Sequence, residues 1–214
     1  ITNPIAGNWT FECRGEDGTA NSSAFNSTQR NLTSCFNFTT AGRTYTLNEN
    51  ASITGANCYN VQVANVTLNC NGYTVKTVTS GVGIYSNQFN TTIKNCIFNT
   101  AGNSIYFNGA TNGTISNSTA TVSGEGTAVY FASSSNNTII NVSSTTTSGE
   151  DSAAFALSAS SFNTFTNITA TATGSYSSYG VWLFSSSNYN TFSNITATSD
   201  YGYGFASVSS TNNN

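Results

Sequence analysis

The 214-residue sequence predicts an all-β chain wound as a parallel β-helix, and three observations carry that prediction. A phrase of the form Thr-Ile/Phe-x-Asn recurs five times, at 92–95, 114–117, 138–141, 164–167 and 191–194. Its closing asparagines, Asn95, Asn117, Asn141, Asn167 and Asn194, are 22, 24, 26 and 27 residues apart, too far for a hairpin and suited to one turn of a solenoid. Only 6% of residues are charged, while hydrophobic residues recur at regular intervals, so the chain has the means to build a core and is not disordered.

Taken in order, residues 1–34 show little pattern, with polar runs between Trp9, Phe11 and Phe25. They are expected to form an irregular cap or assembly arm over the open end of the solenoid. Residues 35–214 are expected to form the β-helix itself. From Thr44 the text becomes strand-like, as in YTLNEN and YNVQVANVTLNCNGYTV.

Within the clear repeats, the residue after the Thr gives one inward column: Ile93, Ile115, Ile139, Phe165 and Phe192. The residue after the Asn gives Cys96, Ser118, Val142, Ile168 and Ile195, and two further on stand Phe98, Ala120, Ser144, Ala170 and Ala197. Nine and seven residues before the Thr lie Ile105 with Phe107, Val129 with Phe131, Phe155 with Leu157, and Trp182 with Phe184, all expected to face inward. Three short strands per turn follow, and about seven coils of 22–27 residues would give a rod of roughly 35 Å. Coil length varies mainly in VSGEGTA, TTTSGEDSA and TGSYSSYG, loops expected on one side of the rod. Residues 204–214 realign with 180–190 and stop where the next Thr-Ile/Phe-x-Asn would start, so further chain or another molecule is expected to continue the stack. The opening Ile1 fits a processed chain.

Net charge is −3, and all five basic residues lie at or before Lys94, which argues against nucleic-acid binding. No stretch approaches the ~20 apolar residues of a membrane span. With no His and no Cys-x-x-Cys pair, the five cysteines point to disulfides in an oxidising compartment rather than to a metal site. Cys35 with Cys58 and Cys70 with Cys96 are each about one coil apart and are the favoured pairs, with Cys13 to Cys35 as the rival.

Fourteen Asn-x-Ser/Thr sequons are present. Four of them, Asn117, Asn141, Asn167 and Asn194, fall with Asn95 on one repeat position, where rungs lie ~4.8 Å apart; glycans cannot fill every rung, so a hydrogen-bonded amide ladder is expected there. Glycosylation is expected at Asn8, Asn21, Asn26, Asn31, Asn37, Asn50 and Asn65, with partial occupancy of the aligned set Asn90, Asn112 and Asn136.

Glu125, Glu150, Asp151 and Asp200 occupy corresponding loops. Paired carboxylates ~5–9.5 Å apart could hydrolyse glycosides and clustered ones could hold calcium, but solvated loop acids are the simpler expectation. No catalytic residue, metal ligand or cofactor is expected; Glu125, Glu150 and Asp151 are the weak catalytic candidates, and calcium is the one ion considered. The late tyrosines, Tyr176, Tyr179, Tyr189, Tyr201 and Tyr203, suggest a surface for sugar or for a neighbouring subunit.

The runs VTLNCNGYTV, GIYSNQFNTTIKNC, IYFNGATNGTISN and VYFASSSNNTIIN resemble the right-handed parallel β-helix repeat family, including its carbohydrate-binding and sugar-hydrolysis group. They are also similar to the repetitive secreted and surface proteins of that type encoded by many archaea. The resemblance spans about 35–214 and implies a fold more than an activity, because such proteins include lyases, hydrolases, adhesins, copper-delivery proteins and structural subunits. The sequence departs from the copper-related members by having no His and no Met, and from the lyases by having no basic residue beyond Lys94. The leading expectation is an extracellular structural glycoprotein, a subunit of a cell-surface filament or layer that stacks head to tail on itself. The alternatives are a polysaccharide-binding or polysaccharide-degrading protein, or an adhesin.

Overall fold

The computed structural model describes residues 29–32, 34–147, 152–174 and 177–214. Most of the expected cap, including Cys13, lies outside them. The strands follow in chain order as β1 (Gln29–Leu32), β2 (Phe36–Phe38), β3 (Thr44–Leu47), β4 (Ala51–Thr54), β5 (Tyr59–Val61), β6 (Thr67–Asn69) and β7 (Thr74–Val78). Next come β8 (Ile84–Ser86), β9 (Thr92–Lys94), β10 (Ile97–Thr100), β11 (Ile105–Asn108), β12 (Thr114–Val122), β13 (Val129–Ala132) and β14 (Thr138–Thr146). The last five are β15 (Ala153–Ser158), β16 (Thr164–Ala172), β17 (Tyr179–Phe184), β18 (Thr191–Ser199) and β19 (Tyr203–Ser207).

One sheet stacks β2, β5, β8, β11, β13, β15, β17 and β19 in that order; the other eleven strands form a second sheet that begins at β1 and β3 and runs on to β18. Every strand pairs in parallel with its counterpart one coil away, as Thr138↔Thr164 and Ile139↔Phe165 do between β14 and β16. This is a β-solenoid of about seven turns, as the repeat spacing predicts. β1 pairs with β3 through Gln29↔Thr44 to Leu32↔Leu47, so regular pairing reaches back into the segment expected to be irregular.

The recurring asparagine marks the corner inside the larger sheet. Asn95, Asn117, Asn141, Asn167 and Asn194 have φ of 55, 47, 54, 55 and 54°, a left-handed conformation that Asn tolerates better than most residues. Up to β9 and β10 the corner divides two strands; from β12 on, pairing skips the Asn and resumes directly after it, within one nine-residue strand. The expected columns line the core: Ile93, Ile115, Ile139, Phe98, Ala120 and Phe165 are fully or almost fully buried.

Trp182 and Phe184 correct the expected register. Val181 and Leu183 pair with Phe155 and Leu157 and are buried, while Trp182 pairs with outward Ala156. The turn after β17 holds one residue more than the turn after β15, taken up by consecutive left-handed residues Ser185 and Ser186 (φ 53 and 63°). Counting back from Thr191 therefore slips by one, and a one-residue slip exchanges faces.

Candidate functional site

Two disulfides staple neighbouring coils. Cys35–Cys58 and Cys70–Cys96 span Cα distances of 4.5 and 4.6 Å, close to the rung spacing that the one-coil separations imply.

Two amide rows run along the rod. In the outer one, Asn194 Nδ2 donates to Asn167 Oδ1 (2.8 Å), Asn167 to Asn141 (2.9 Å) and Asn141 to Asn117 (3.1 Å); lower down, Asn95 donates to Asn69 (3.0 Å). Sequence reasoning missed the inner row. Asn137, Asn163 and Asn190 are each only 1% exposed, and their Nδ2 atoms donate to the next Oδ1 along, Asn163, Asn190 and Asn213, at 3.0, 3.1 and 3.1 Å. Each acceptor oxygen also takes the backbone N–H of the rung before it, as Asn163 Oδ1 does from Asn137 at 2.9 Å. A third row repeats the device with hydroxyls: Ser160, Ser187 and Ser210 Oγ accept from the backbone N–H of Ser134, Ser160 and Ser187. The missed signal is an Asn directly before the repeated Thr, at Asn137-Thr138, Asn163-Thr164 and Asn190-Thr191.

The sequon residues Asn37, Asn50, Asn65, Asn90, Asn112 and Asn136 are all exposed. Asn60 donates to Asn37 (2.9 Å), Asn90 donates to Asn65 (3.0 Å), and Asn50 Oδ1 accepts from the Thr74 backbone (2.8 Å). Asn8, Asn21 and Asn26, and the side chain of Asn31, lie outside the described residues. Asn65, Asn90, Asn112 and Asn136 mark a second left-handed corner (φ 54 to 59°), which Phe162, Tyr189 and Asn212 continue at 60, 56 and 54°.

The outer face of the eight-stranded sheet carries aromatic side chains. Tyr85, Tyr106 and Tyr130 occupy successive rungs, with Tyr106 and Tyr130 stacked at 5.1 Å and 8° and Tyr85 edge-on to Tyr106 at 5.4 Å. Burial, with the neighbouring phenols Tyr130 and Tyr85 adding to it, holds the Tyr106 phenol above its ordinary pKa. Two rungs beyond Tyr130, the Trp182 indole lies between Tyr179 (4.6 Å) and Phe184 (4.2 Å), its Nε1 buried without a hydrogen-bond partner. Of the late tyrosines, Tyr201 and Tyr203 are exposed and Tyr189 stacks on Phe162; Tyr176 lies outside the described residues.

Glu125 and Asp200 are exposed on corresponding corners, after β12 and after β18. Three coils separate them, about 14 Å at the rung spacing, beyond the reach of a glycosidase pair. Glu150 and Asp151 lie outside the described residues. Among the described residues no three of His, Cys, Asp and Glu cluster to hold a metal ion, and no helix is long and apolar enough to cross a membrane.

At the last coil, Phe205 and Val208 are exposed and Phe192 and Ile195 are only partly covered. Phe192, Phe205, Ser207, Ser210 and Asn213 line a shallow hollow of about 300 Å³ there.

No curated protein and no solved structure matches the sequence. The model of the right-handed beta helix region matches residues 52–214, the same coils that carry the amide, hydroxyl and aromatic rows. The chain therefore belongs to the right-handed β-helix family.

Proposed function

We propose that the chain is a structural extracellular glycoprotein, a subunit that stacks end to end on further copies of itself in a cell-surface filament or layer. The observation that carries this reading is the rung-by-rung ladder. Every strand pairs in parallel with its counterpart one coil away, and the apolar columns and the amide row repeat in the same register. A ladder is indifferent to whether its next rung comes from the same chain or another, so a second copy docks by the rules that join coils within one molecule. Such a contact is heterologous and extends rather than closes. Two disulfides support an oxidising, extracellular setting, and exposed sequons support glycan attachment. The outward apolar surface and the core are built from uncharged groups joined coil to coil, an arrangement suited to bearing load rather than to moving protons.

Sedimentation and electron microscopy of the native polypeptide test the proposal. Concentration-dependent rods are expected; a monodisperse monomer at high concentration refutes it.

The row Tyr85, Tyr106, Tyr130 favours a second reading, binding of an extended polysaccharide by ring stacking. Affinity electrophoresis against neutral polysaccharides should then show retardation that Tyr106→Ala and Tyr130→Ala abolish. Unchanged mobility in every gel removes this reading.

A further inference from the structure

The left-handed corner that bears Asn65, Asn90, Asn112 and Asn136 repeats more than an asparagine. Each begins an Asn-x-Thr sequon whose Thr opens the next strand: Asn65-Val66-Thr67, Asn90-Thr91-Thr92, Asn112-Gly113-Thr114 and Asn136-Asn137-Thr138. In the next two coils everything is kept except the acceptor, giving Phe162-Asn163-Thr164 and Tyr189-Asn190-Thr191. Backbone bonds fix the register: Asn136 N–H donates to Ser161 O (3.3 Å), Phe162 N–H to Asn188 O (3.2 Å) and Tyr189 N–H to Thr211 O (3.2 Å).

Neither local preference nor packing accounts for the two aromatics. A left-handed backbone suits Asn and costs other side chains about 1–2 kcal/mol. Phe162 and Tyr189 adopt it at φ 60 and 56° while remaining 56% and 52% exposed. Their rings stack along the row, centroids 5.2 Å apart and planes within 5°. Tyr189 thus covers one face of Phe162, and the rung on the other side of Phe162 is that of Asn136.

We propose that Asn136 carries an N-linked glycan whose first sugars lie against the free face of Phe162, with Tyr189 backing the ring. This rests on the reading of the chain as an extracellular glycoprotein. In the transfer, Asn136 Nδ2 bonds to the anomeric carbon of an activated glycosyl phosphate donor supplied by the host. The carbon–oxygen bond to phosphate breaks, phosphate leaves with the electron pair, and the amide loses one proton. The sugar then projects outward one rung below Phe162, where its C–H face meets the electron-rich face of the ring. Among the four sequons of the row, Asn136 is the one whose upper neighbour is an aromatic ring rather than another acceptor. At a rung spacing of ~4.8 Å, a glycan at Asn136 obstructs one at Asn112.

The test is to express the full chain in a host that glycosylates secreted proteins, map each sequon by glycopeptide mass spectrometry, and record the sugar proton resonances. The expected result is occupancy at Asn136, depletion of Asn112 in the same molecules, and sugar protons moved upfield by the ring current. Phe162→Leu should abolish the upfield shift and speed enzymatic release of the glycan by roughly three- to tenfold, while Phe162→Tyr retains both. Glycans on other sequons with Asn136 bare, or an occupied Asn136 with unshifted sugar protons, overturn this inference alone. A chain bare at every sequon overturns the glycoprotein reading as well.

Discussion

Replacing Asn163 by Ala should destabilise the chain far more than replacing Asn141 by Ala, although each asparagine belongs to an amide row. Asn163 Oδ1 accepts from the backbone N–H and the Nδ2 of Asn137 at 2.9 and 3.0 Å, and its own Nδ2 donates to Ser134 O at 3.0 Å and Asn190 Oδ1 at 3.1 Å. After truncation, Asn137 Nδ2 keeps Ala110 O and Ser135 O, and Asn190 Oδ1 keeps the Asn163 N–H. The Asn137 N–H and Ser134 O each lose a partner where water has no access. At about 1–3 kcal/mol for each of the two orphaned buried groups, the loss comes to about 2–6 kcal/mol.

Asn141 is exposed, so water replaces both of its ladder bonds, and the main penalty is the left-handed backbone that Ala tolerates poorly. About 1–2 kcal/mol is expected, and Asn141→Gly should recover most of it. Urea denaturation of the three variants, with amide exchange at Asn137 as the local readout, decides the matter, since solenoids need not unfold in one step. Equal midpoints for Asn163→Ala and Asn141→Ala would refute the assignment of the inner row as the stronger one.

Tyr59→Phe removes a buried hydroxyl that has no partner and should stabilise the fold by about 1 kcal/mol, read from the denaturation midpoint. Burial raises the Tyr59 phenol well above its ordinary pKa, so the unfolded chain ionises first. Stability is therefore intact below pH ~10 and falls as pH rises beyond it, and a pH titration of the midpoint should show Tyr59→Phe flattening that decline. Reducing Cys35–Cys58 and Cys70–Cys96, which close 23 and 26 residues, should cost about 3 kcal/mol apiece, measured as midpoints with and without reductant. Glu125→Gln should leave both stability and any polysaccharide retardation unchanged, because that carboxylate is exposed and three coils from Asp200; a measurable loss in either would reopen the acidic corner as a site.

The parts of the fold that were legible in the sequence are those where one physical demand recurs at one spacing. Ile115, Ile139 and Phe165 must fill the same column, so they announce the coil. The one-coil separations of Cys35 and Cys58, and of Cys70 and Cys96, worked for the same reason. Trp182 misled because a large aromatic residue normally signals burial and because Ser185 and Ser186 hide an inserted residue in a polar turn. Asn137, Asn163 and Asn190 were invisible for a different reason: an asparagine beside Ser and Thr reads as a solvated turn, and only in the folded chain is it turned inward to cap a backbone N–H. The stacked pair Phe162 and Tyr189 was likewise hidden, since its meaning lies in the sequon register of the neighbouring coils.

The two amide rows also point in opposite senses along the rod. The outer row donates toward the N-terminal coils, from Asn194 to Asn167 to Asn141, and the inner row donates toward the C-terminal ones, from Asn137 to Asn163 to Asn190. The backbone N–H that each inner oxygen accepts fixes the orientation of that row. An α-helix gains a macrodipole because all its amides align. Here the side-chain dipoles of one amide row run against those of the other, so the two rows do not add to a single field along the rod. With so few charged residues as well, the long sides of the rod carry little electrostatic direction of their own.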